Sequence, residues 1–217
     1  MRMPCTAAVA FLAAALFVPH PAAAETAFGV RFFGGYNTYA LGDWDDVRRA
    51  LFVPASQAGD PHDGHSLGIG LDLGWGPWLA FTGSYERLVP GRMSEVNGEK
   101  LKLPANALLL EAEFHRRIRP RLWVGVGGGI GHYQLGEEVE SPGTNRNLEG
   151  DNWGSQLYGL VEWEWTSMVS LGLDVGYRKA SVDVTDANRQ PPRTETVVDY
   201  SGLNTRLVMR LHRKRAR

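Results

Sequence analysis

The sequence predicts an all-β fold, a single eight-stranded antiparallel up-and-down transmembrane β-barrel with a short helix in its first outer loop. Three observations predict it. Eight segments alternate apolar and polar residues, short and long connections alternate between them, and the apolar face carries side chains too bulky for the inside of a small barrel. These observations restrict, in turn, the number of strands, their connectivity and the direction in which the apolar face points.

The N-terminal segment has the features of an export signal rather than of a folded domain. Arg2 supplies a positive start, residues 7–18 form an apolar run, and residues 22–24 are small alanines suited to cleavage. The apolar run is too short to span a bilayer as a helix. We expect a signal peptide over residues 1–24 and one barrel domain over residues 25–217.

The composition argues against several classes of function. Lys and Arg total 23 against 24 Asp and Glu, a formal net charge of −1, which argues against a nucleic-acid partner. The single cysteine, Cys5, is expected to leave with the signal, so we expect no disulfide and no thiolate chemistry. No later segment approaches the roughly 18 continuous apolar residues of a transmembrane helix, whereas barrel strands conceal their apolar face by alternation.

Eight segments show the period of two that is typical of a β-strand with two different faces. In one of them Leu171 and Leu173 alternate with Gly172 and Asp174. The predicted strands cover residues 28–37, 66–73, 79–86, 108–115, 122–131, 156–165, 169–178 and 203–211.

The connections between these strands alternate in length. Short turns are predicted at residues 74–77, 117–121 and 166–167. Long polar loops are predicted at residues 38–64, 89–104, 136–151 and 181–195. In an up-and-down barrel this order collects the short turns at one rim and the long loops at the other, the arrangement of outer-membrane barrels.

The bulk of the apolar side chains indicates which face points outward. An eight-stranded barrel has an interior only just wide enough to be filled by side chains, and the leucine-rich face would overfill it. The opposite face mixes glycines with long charged residues, which fit together inside. Trp75, Trp78, Trp163 and Trp165 lie near the short turns, where an interfacial aromatic girdle is expected. A soluble barrel with the apolar face inward is the alternative.

The predicted inward face carries many charged residues, which must be paired or hydrated when buried. We expect a salt-bridge and water network that fills the lumen; a conduction path lined by the same charges is the alternative. The predicted network consists of Arg31, Asp72, Glu86, Glu111, Glu113, Glu162, Glu164, Asp174, Arg178, Arg206 and Arg210.

The first long loop contains the predicted helix, over residues 43–52. Its acidic residues precede its arginines, as the helix dipole favours, and Trp44, Val47 and Leu51 share one face. This face is expected to pack over the barrel mouth as a lid, or to contact lipopolysaccharide or a partner. Residues 60–65 hold two acids and two histidines, but proline and glycine favour a plain polar loop over a metal site. No metal or cofactor is expected.

With this pattern and the closing segment Asp199-Tyr200-Ser201-Gly202-Leu203, the chain resembles the small outer-membrane β-barrel proteins, the group of OmpA-type transmembrane domains and OmpW-type barrels. The resemblance implies a location in the bacterial outer membrane. It also implies outer-membrane lipid, lipopolysaccharide and the barrel-assembly machinery as partners. Such barrels usually end in an aromatic residue, whereas this chain continues past Leu211 into a basic tail. That tail is expected to be solvated or to touch anionic periplasmic partners.

The activity is less determined than the architecture. A His-x-Ser pair, which the resemblance associates with lipid A deacylation, is absent from the sequence. Carboxylates spaced two apart, such as Glu111 and Glu113, have arginines available for ion pairing, which argues against acid–base catalysis. We therefore expect a non-enzymatic barrel with a structural or surface-interaction role. A narrow channel for small solutes or apolar molecules is the alternative, and a lipid A-modifying enzyme is a third possibility.

Overall fold

A computed structural model describes residues 26–39, 63–90, 104–141, 144–186 and 194–212. These residues form a closed antiparallel barrel, which confirms the predicted fold class. Within the described ranges, no helix is long and apolar enough to cross a bilayer. The predicted signal peptide and the predicted helix with Trp44, Val47 and Leu51 lie outside the described residues.

Ten strand segments make up the sheet. Their bounds are β1 (Thr26–Thr38), β2 (Asp63–Trp75), β3 (Leu79–Pro90), β4 (Ala105–Arg119), β5 (Leu122–Ser141), β6 (Thr144–Glu164), β7 (Val169–Lys179), β8 (Ser181–Asp186), β9 (Thr194–Asp199) and β10 (Gly202–His212). One residue separates β7 from β8, and two residues separate β9 from β10. Each pair therefore forms one long, interrupted strand of the barrel.

The barrel closes because β1 pairs with β2 on one side and with β10 on the other, while β5 pairs with β6. Starting from Arg31, the paired residues can be followed around the barrel in both directions. Through β2, β3, β4 and β5 they lead to Gly154 on β6. Through β10 and β7 they lead to Glu164 on the same strand. This offset of ten positions is the stagger of the barrel, and it requires strongly tilted strands. Eight strands with such a stagger enclose an interior that side chains can fill.

The connections at the two ends of the barrel differ. Three tight connections join β2 to β3, β4 to β5 and β6 to β7, as predicted, and they define the short-turn end. At the opposite, distal end one prediction is wrong: residues 136–151 are not a long loop, because β5 and β6 continue as a paired hairpin to Ser141 and Thr144. Part of the predicted loop over residues 181–195 is likewise strand, namely β8 and the start of β9.

The ladder beside β6 is interrupted near the distal end. Pairing with β7 stops at Ser155 and Lys179, and pairing with β8 resumes only at Glu149 and Thr185. Between these points β6 and β8 lie side by side without ladder pairs among the described residues. We call this stretch the β6–β8 seam.

Candidate functional site in the barrel interior

The short-turn half of the interior is filled with charged side chains. Ten of the eleven residues of the predicted network lie inside the barrel, and none of the ten exposes more than 8% of its surface. They are Arg31, Asp72, Glu86, Glu111, Glu113, Glu162, Asp174, Arg178, Arg206 and Arg210. Seven strands contribute them, namely β1, β2, β3, β4, β6, β7 and β10, because alternate residues of a strand point inward.

Glu113 is the centre of the first group of ion pairs. Its carboxylate accepts from Arg31 Nη1 at 2.8 Å and from Arg210 Nη2 at 2.6 Å. Arg31 Nε also donates to Asp72 at 2.7 Å, and Arg210 donates to Glu162. Two guanidinium groups are therefore held by three carboxylates on three different strands, which fixes their position in the lumen.

Arg206 forms the second group, above the first toward the distal end. Its Nη2 lies 3.3 Å from a carboxylate oxygen of Glu111 and 3.3 Å from one of Asp174. Its guanidinium also lies over the ring of Tyr158, at 4.7 Å from the centroid. The hydroxyl of Tyr158 donates to Glu113 at 2.7 Å, so the first and second groups form one connected network.

Arg178 forms the third group, nearest the distal end. Its Nη2 donates to Glu86 at 2.5 Å, and weaker contacts of 3.4 Å reach the side-chain oxygens of Asn37 and Gln156. The guanidinium lies 5.8 Å from the ring centroid of Tyr133. This group is the upper limit of the charged interior.

Glycines on the inward face leave the space that the arginines occupy. A Cβ at Gly70 would stand 3.0 Å from Cγ of Arg31, and a Cβ at Gly35 would stand 3.0 Å from Cγ of Arg206. Both distances are tighter than ordinary van der Waals contact, so a larger residue would displace the arginine stem. The glycine-rich inward face is therefore part of the site, since it admits the long cations.

Glu164 is the exception in the predicted network. Its side chain is 35% exposed at the short-turn rim, where it accepts from Arg117 at 2.9 Å and from Trp123 Nε1 at 2.8 Å. Glu162, two residues earlier on the same face, is buried. The difference follows from position, because Glu164 is the last residue of β6 and the barrel wall ends there.

The distal half of the interior is mainly apolar, a feature not predicted from the sequence. A contiguous buried cluster, here called the distal cluster, closes the barrel above Arg178. Its members are Tyr39, Leu88, Ala105, Ala107, Leu109, Tyr133, Leu135, Ala180, Val182, Val184, Val198 and Tyr200. Burial raises the pKa of Tyr39 well above its usual value. The signal for this cluster was present in the alternation of Val182 and Val184 with polar neighbours.

A serine and a histidine meet inside the short-turn end. Ser170 Oγ lies 2.9 Å from His212 Nε2, and Glu162 lies 3.6 Å from the same nitrogen. In a catalytic triad the acid orients the histidine through its other nitrogen, which leaves Nε2 free to take the serine proton. Here both neighbours compete for Nε2 and Ser170 is fully buried, so the contact is typical of a structural hydrogen bond.

The predicted polar loop at residues 60–65 is described only from Asp63 onward. Asp63 accepts from the hydroxyl of Tyr36 at 2.7 Å, and the ring of His65 meets that of Tyr36 edge-on at 5.9 Å. Among the described residues, no group of three or more His, Cys, Asp or Glu side chains is arranged to hold a metal ion.

The outward face carries a broad apolar band around the charged half of the interior. Large apolar side chains are exposed along all eight barrel strands, for example Leu67 at 72% and Leu157 at 70%. Aromatic residues border the band at both ends. Those at the short-turn end are Trp78, Trp163 and Trp165, and those toward the distal end are Tyr36, Tyr85, Trp153 and Tyr177. Trp75, also predicted for this girdle, is half-buried.

Comparison with solved structures identifies the architecture. OprG, an outer membrane protein from Pseudomonas aeruginosa, is 9% identical with a TM-score of 0.60, and the match covers 88% of this chain and 98% of OprG. Neisserial surface protein A is 12% identical with a TM-score of 0.56, covering 85% and 96%. The fold is that of the small outer-membrane barrels.

A third solved structure extends this likeness. The outer membrane protein AlkL, determined in DMPC lipid bilayers, is 15% identical with a TM-score of 0.54, covering 92% of this chain and 97% of AlkL. At such low identities the likeness concerns the fold. No protein-family model matches the sequence, and no curated protein matches it.

Proposed function

We propose that this chain is a non-enzymatic protein of the bacterial outer membrane whose closed barrel supports a structural or surface-interaction role at its distal end. The observation that carries the proposal is the burial of the lumen cations. Arg31, Arg178 and Arg206 each expose only 1% of their surface, and each is paired with at least one carboxylate. In an open aqueous pore these side chains would be accessible to water.

The membrane location is supported by the outward face. An exposed band of leucine, valine and aromatic residues on every barrel strand is unfavourable in water but favourable in a bilayer. Tryptophans and tyrosines at both borders of the band are typical of the two membrane interfaces. The similar solved structures are outer membrane proteins, which agrees with this location.

The non-conducting lumen is supported by the connected ion pairs. Water and ions would have to pass between guanidinium and carboxylate groups that lie 2.6 to 3.3 Å apart. Passage would separate charges in a low-dielectric interior, where an unpaired buried charge costs several kcal/mol. The barrel therefore acts as a filled support for the strands and connections at its distal end.

The proposal is tested by solute efflux from liposomes that contain the protein without residues 1–24. Insertion is scored first by the heat-dependent gel shift of a folded barrel. We expect efflux equal to that of protein-free liposomes. A double variant, Glu113→Ala with Arg210→Ala, removes the central ion pair and is expected to raise efflux if it inserts. Efflux by the unaltered protein would contradict the closed lumen.

The non-enzymatic part of the proposal has its own test. Purified lipid A is incubated with the inserted protein and its mass is measured before and after. We expect no change of mass, since the Ser170–His212 contact lacks a correctly placed acid. Loss or gain of an acyl chain that disappears in a Ser170→Ala variant would establish an enzyme instead.

A passage for apolar molecules is a second candidate, favoured by the β6–β8 seam. There the ladder is interrupted beside Ala180, Val182 and Val184 of the apolar distal cluster. Separation of the two strands would open a lateral route from the apolar distal interior to the barrel surface at the distal border of the apolar band. Closing the seam with a disulfide between Asp151→Cys and Asp183→Cys tests it, because both residues face outward. Uptake of an apolar dye that is blocked by oxidation and restored by reductant would support this candidate.

A further inference from the structure

The end of β4 and the tight turn that follows it, together called the arginine turn, carry an unusual concentration of positive charge. Arg116, Arg117, Arg119 and Arg121 lie within six consecutive residues, and all four are exposed. Arg117 is neutralised, since it pairs with Glu164 at 2.9 Å. The other three have no ion pair among the described residues.

The backbone holds this arginine turn in place. The amide of His115 donates to the carbonyl of Trp78 at 2.8 Å, and the amide of Glu164 donates to the carbonyl of Arg121 at 2.9 Å. The turn is thereby attached to the residue that precedes β3 on one side and to β6 on the other. Arg117 adds a cation–π contact with Trp123, at 5.1 Å from the ring centroid. The unpaired guanidinium groups therefore extend from a fixed base rather than from a free loop.

The surroundings of the arginine turn are apolar and outward-facing. Ile118 is 52% exposed, Trp163 is 49% exposed, and the ring of Trp78 stacks on Phe114 at 6.0 Å. These side chains belong to the border of the apolar band. A ligand at this site would therefore meet guanidinium groups and an apolar surface together, which is the chemistry of a lipid interface.

In the part of the chain that the structure describes, the opposite end of the barrel has the opposite charge. Among the described residues at outward and rim positions of the short-turn end, four are arginines and one, Glu164, is acidic. The described distal positions carry more acids than bases; the acids are Asp63, Glu149, Asp151, Asp183 and Asp199, and the bases are Arg87 and Lys179. This asymmetry distinguishes the two faces of the membrane electrostatically.

We propose that the arginine turn binds the phosphate of anionic phospholipids in the periplasmic leaflet and so favours phosphatidylglycerol-type lipids around this part of the barrel. The inference rests on the proposed outer-membrane location, which places the short turns at that leaflet. Guanidinium groups bind phosphate oxygens in a bidentate way, and the exposed Ile118 and tryptophans contact the acyl chains beside it. A zwitterionic headgroup offers the same phosphate with a compensating cation and is bound less strongly.

The test measures lipid selectivity with spin-labelled lipids in vesicles that contain the inserted protein. The motionally restricted fraction of labelled phosphatidylglycerol is compared with that of labelled phosphatidylcholine. We expect phosphatidylglycerol to be preferred about fivefold at low salt, the scale of one arginine near an anionic surface. High salt should reduce the preference, because exposed charges are screened.

Matched variants locate the selectivity. The triple variant Arg116→Gln, Arg119→Gln and Arg121→Gln is expected to lose the preference, and the single variants to lose part of it. The control is Arg87→Gln with Lys179→Gln, which removes two exposed cations from the described distal positions and should leave the preference unchanged. A preference that survives the triple variant, or that the control removes, overturns the inference.

The same samples separate this inference from the proposed function. Protein that inserts and shifts on the gel but shows no phosphatidylglycerol preference overturns the inference alone. Protein that does not insert overturns both. Soluble polyglutamate added to the vesicles provides the last comparison: displacement of the labelled lipid by this polymer at equal charge would indicate a site for acidic polypeptides rather than for lipid.

Discussion

In the short-turn half of the barrel the interior is charged and the outward face is apolar, whereas in the described distal part the interior is mainly apolar and the outward face is mainly polar. The long path of β7 and β8 contains the change. Asp174 and Arg178 point inward below it, and Val182 points inward above it. Outward, Tyr177 is followed by Lys179. This inversion of the polarity of the two faces takes place within four residues, between Arg178 and Val182, and the chain continues in the same direction.

The difference between the two interiors shows which interactions stabilise each part of the barrel. Where the outside is lipid, apolar outward residues gain nothing from moving inside, so the interior is held together by ion pairs and hydrogen bonds. Where the outside is water, the hydrophobic effect acts on the interior as in a soluble protein. The level of the inversion, between Glu86 and Leu88 on β3, therefore marks the proposed membrane boundary from within the barrel.

Glu113→Ala is expected to have the largest effect on the charged half. It leaves Arg31 and Arg210 buried without the carboxylate that both of them contact. Removing one partner of a buried pair costs about 3–5 kcal/mol of unfolding free energy. Denaturant unfolding in detergent micelles, followed by the gel shift, measures it. A loss below about 1 kcal/mol would mean that water already solvates these arginines, as in a conducting lumen.

Leu88→Ala is expected to have a comparable or smaller effect, through another mechanism. Leu88 is fully buried in the distal cluster, and truncation of a buried leucine costs about 2–5 kcal/mol through lost burial and a residual cavity. Its neighbour Arg87 points outward, and Arg87→Ala should change stability by no more than about 0.5 kcal/mol. Equal effects of the two substitutions would show that the distal interior is not a packed core.

Leu110→Arg tests the outward side of the comparison. Leu110 is 67% exposed in the apolar band, and an arginine on the lipid face near the bilayer midplane costs about 2–4 kcal/mol. Asp183→Arg, on the outward face of β8 beyond the inversion, should be nearly neutral. Unfolding from lipid vesicles measures both. If Leu110→Arg is neutral in vesicles, the apolar band does not face lipid and a soluble or oligomeric barrel must be considered.

The sequence predicted the charged half more completely than the distal half. Alternation located all eight strands, because within the band the two faces differ sharply, as at Leu171 and Gly172. Beyond the inversion polar residues face water on one side, and the interior side is partly alanine and glycine. The difference in hydropathy between the two faces of a strand is therefore smaller there. Residues 136–151 were therefore predicted as loop although β5 and β6 run through them. Which charges pair across the lumen depends on barrel stagger, which no single strand reveals.

Glu164→Gln is expected to have the smallest effect, and it sharpens the lower limit of the charged interior. Glu164 shares a face with Glu162, but its side chain is 35% exposed and its partner Arg117 is 50% exposed. An exposed ion pair contributes about 0–1 kcal/mol because water and salt screen it, whereas Glu162→Gln weakens a buried contact with Arg210 and should cost more. Raising the salt concentration should reduce the small loss of stability caused by Glu164→Gln and leave the loss caused by Glu162→Gln nearly unchanged. If both respond equally to salt, solvent reaches as far as Glu162, and the sealed part of the lumen begins only at Glu113.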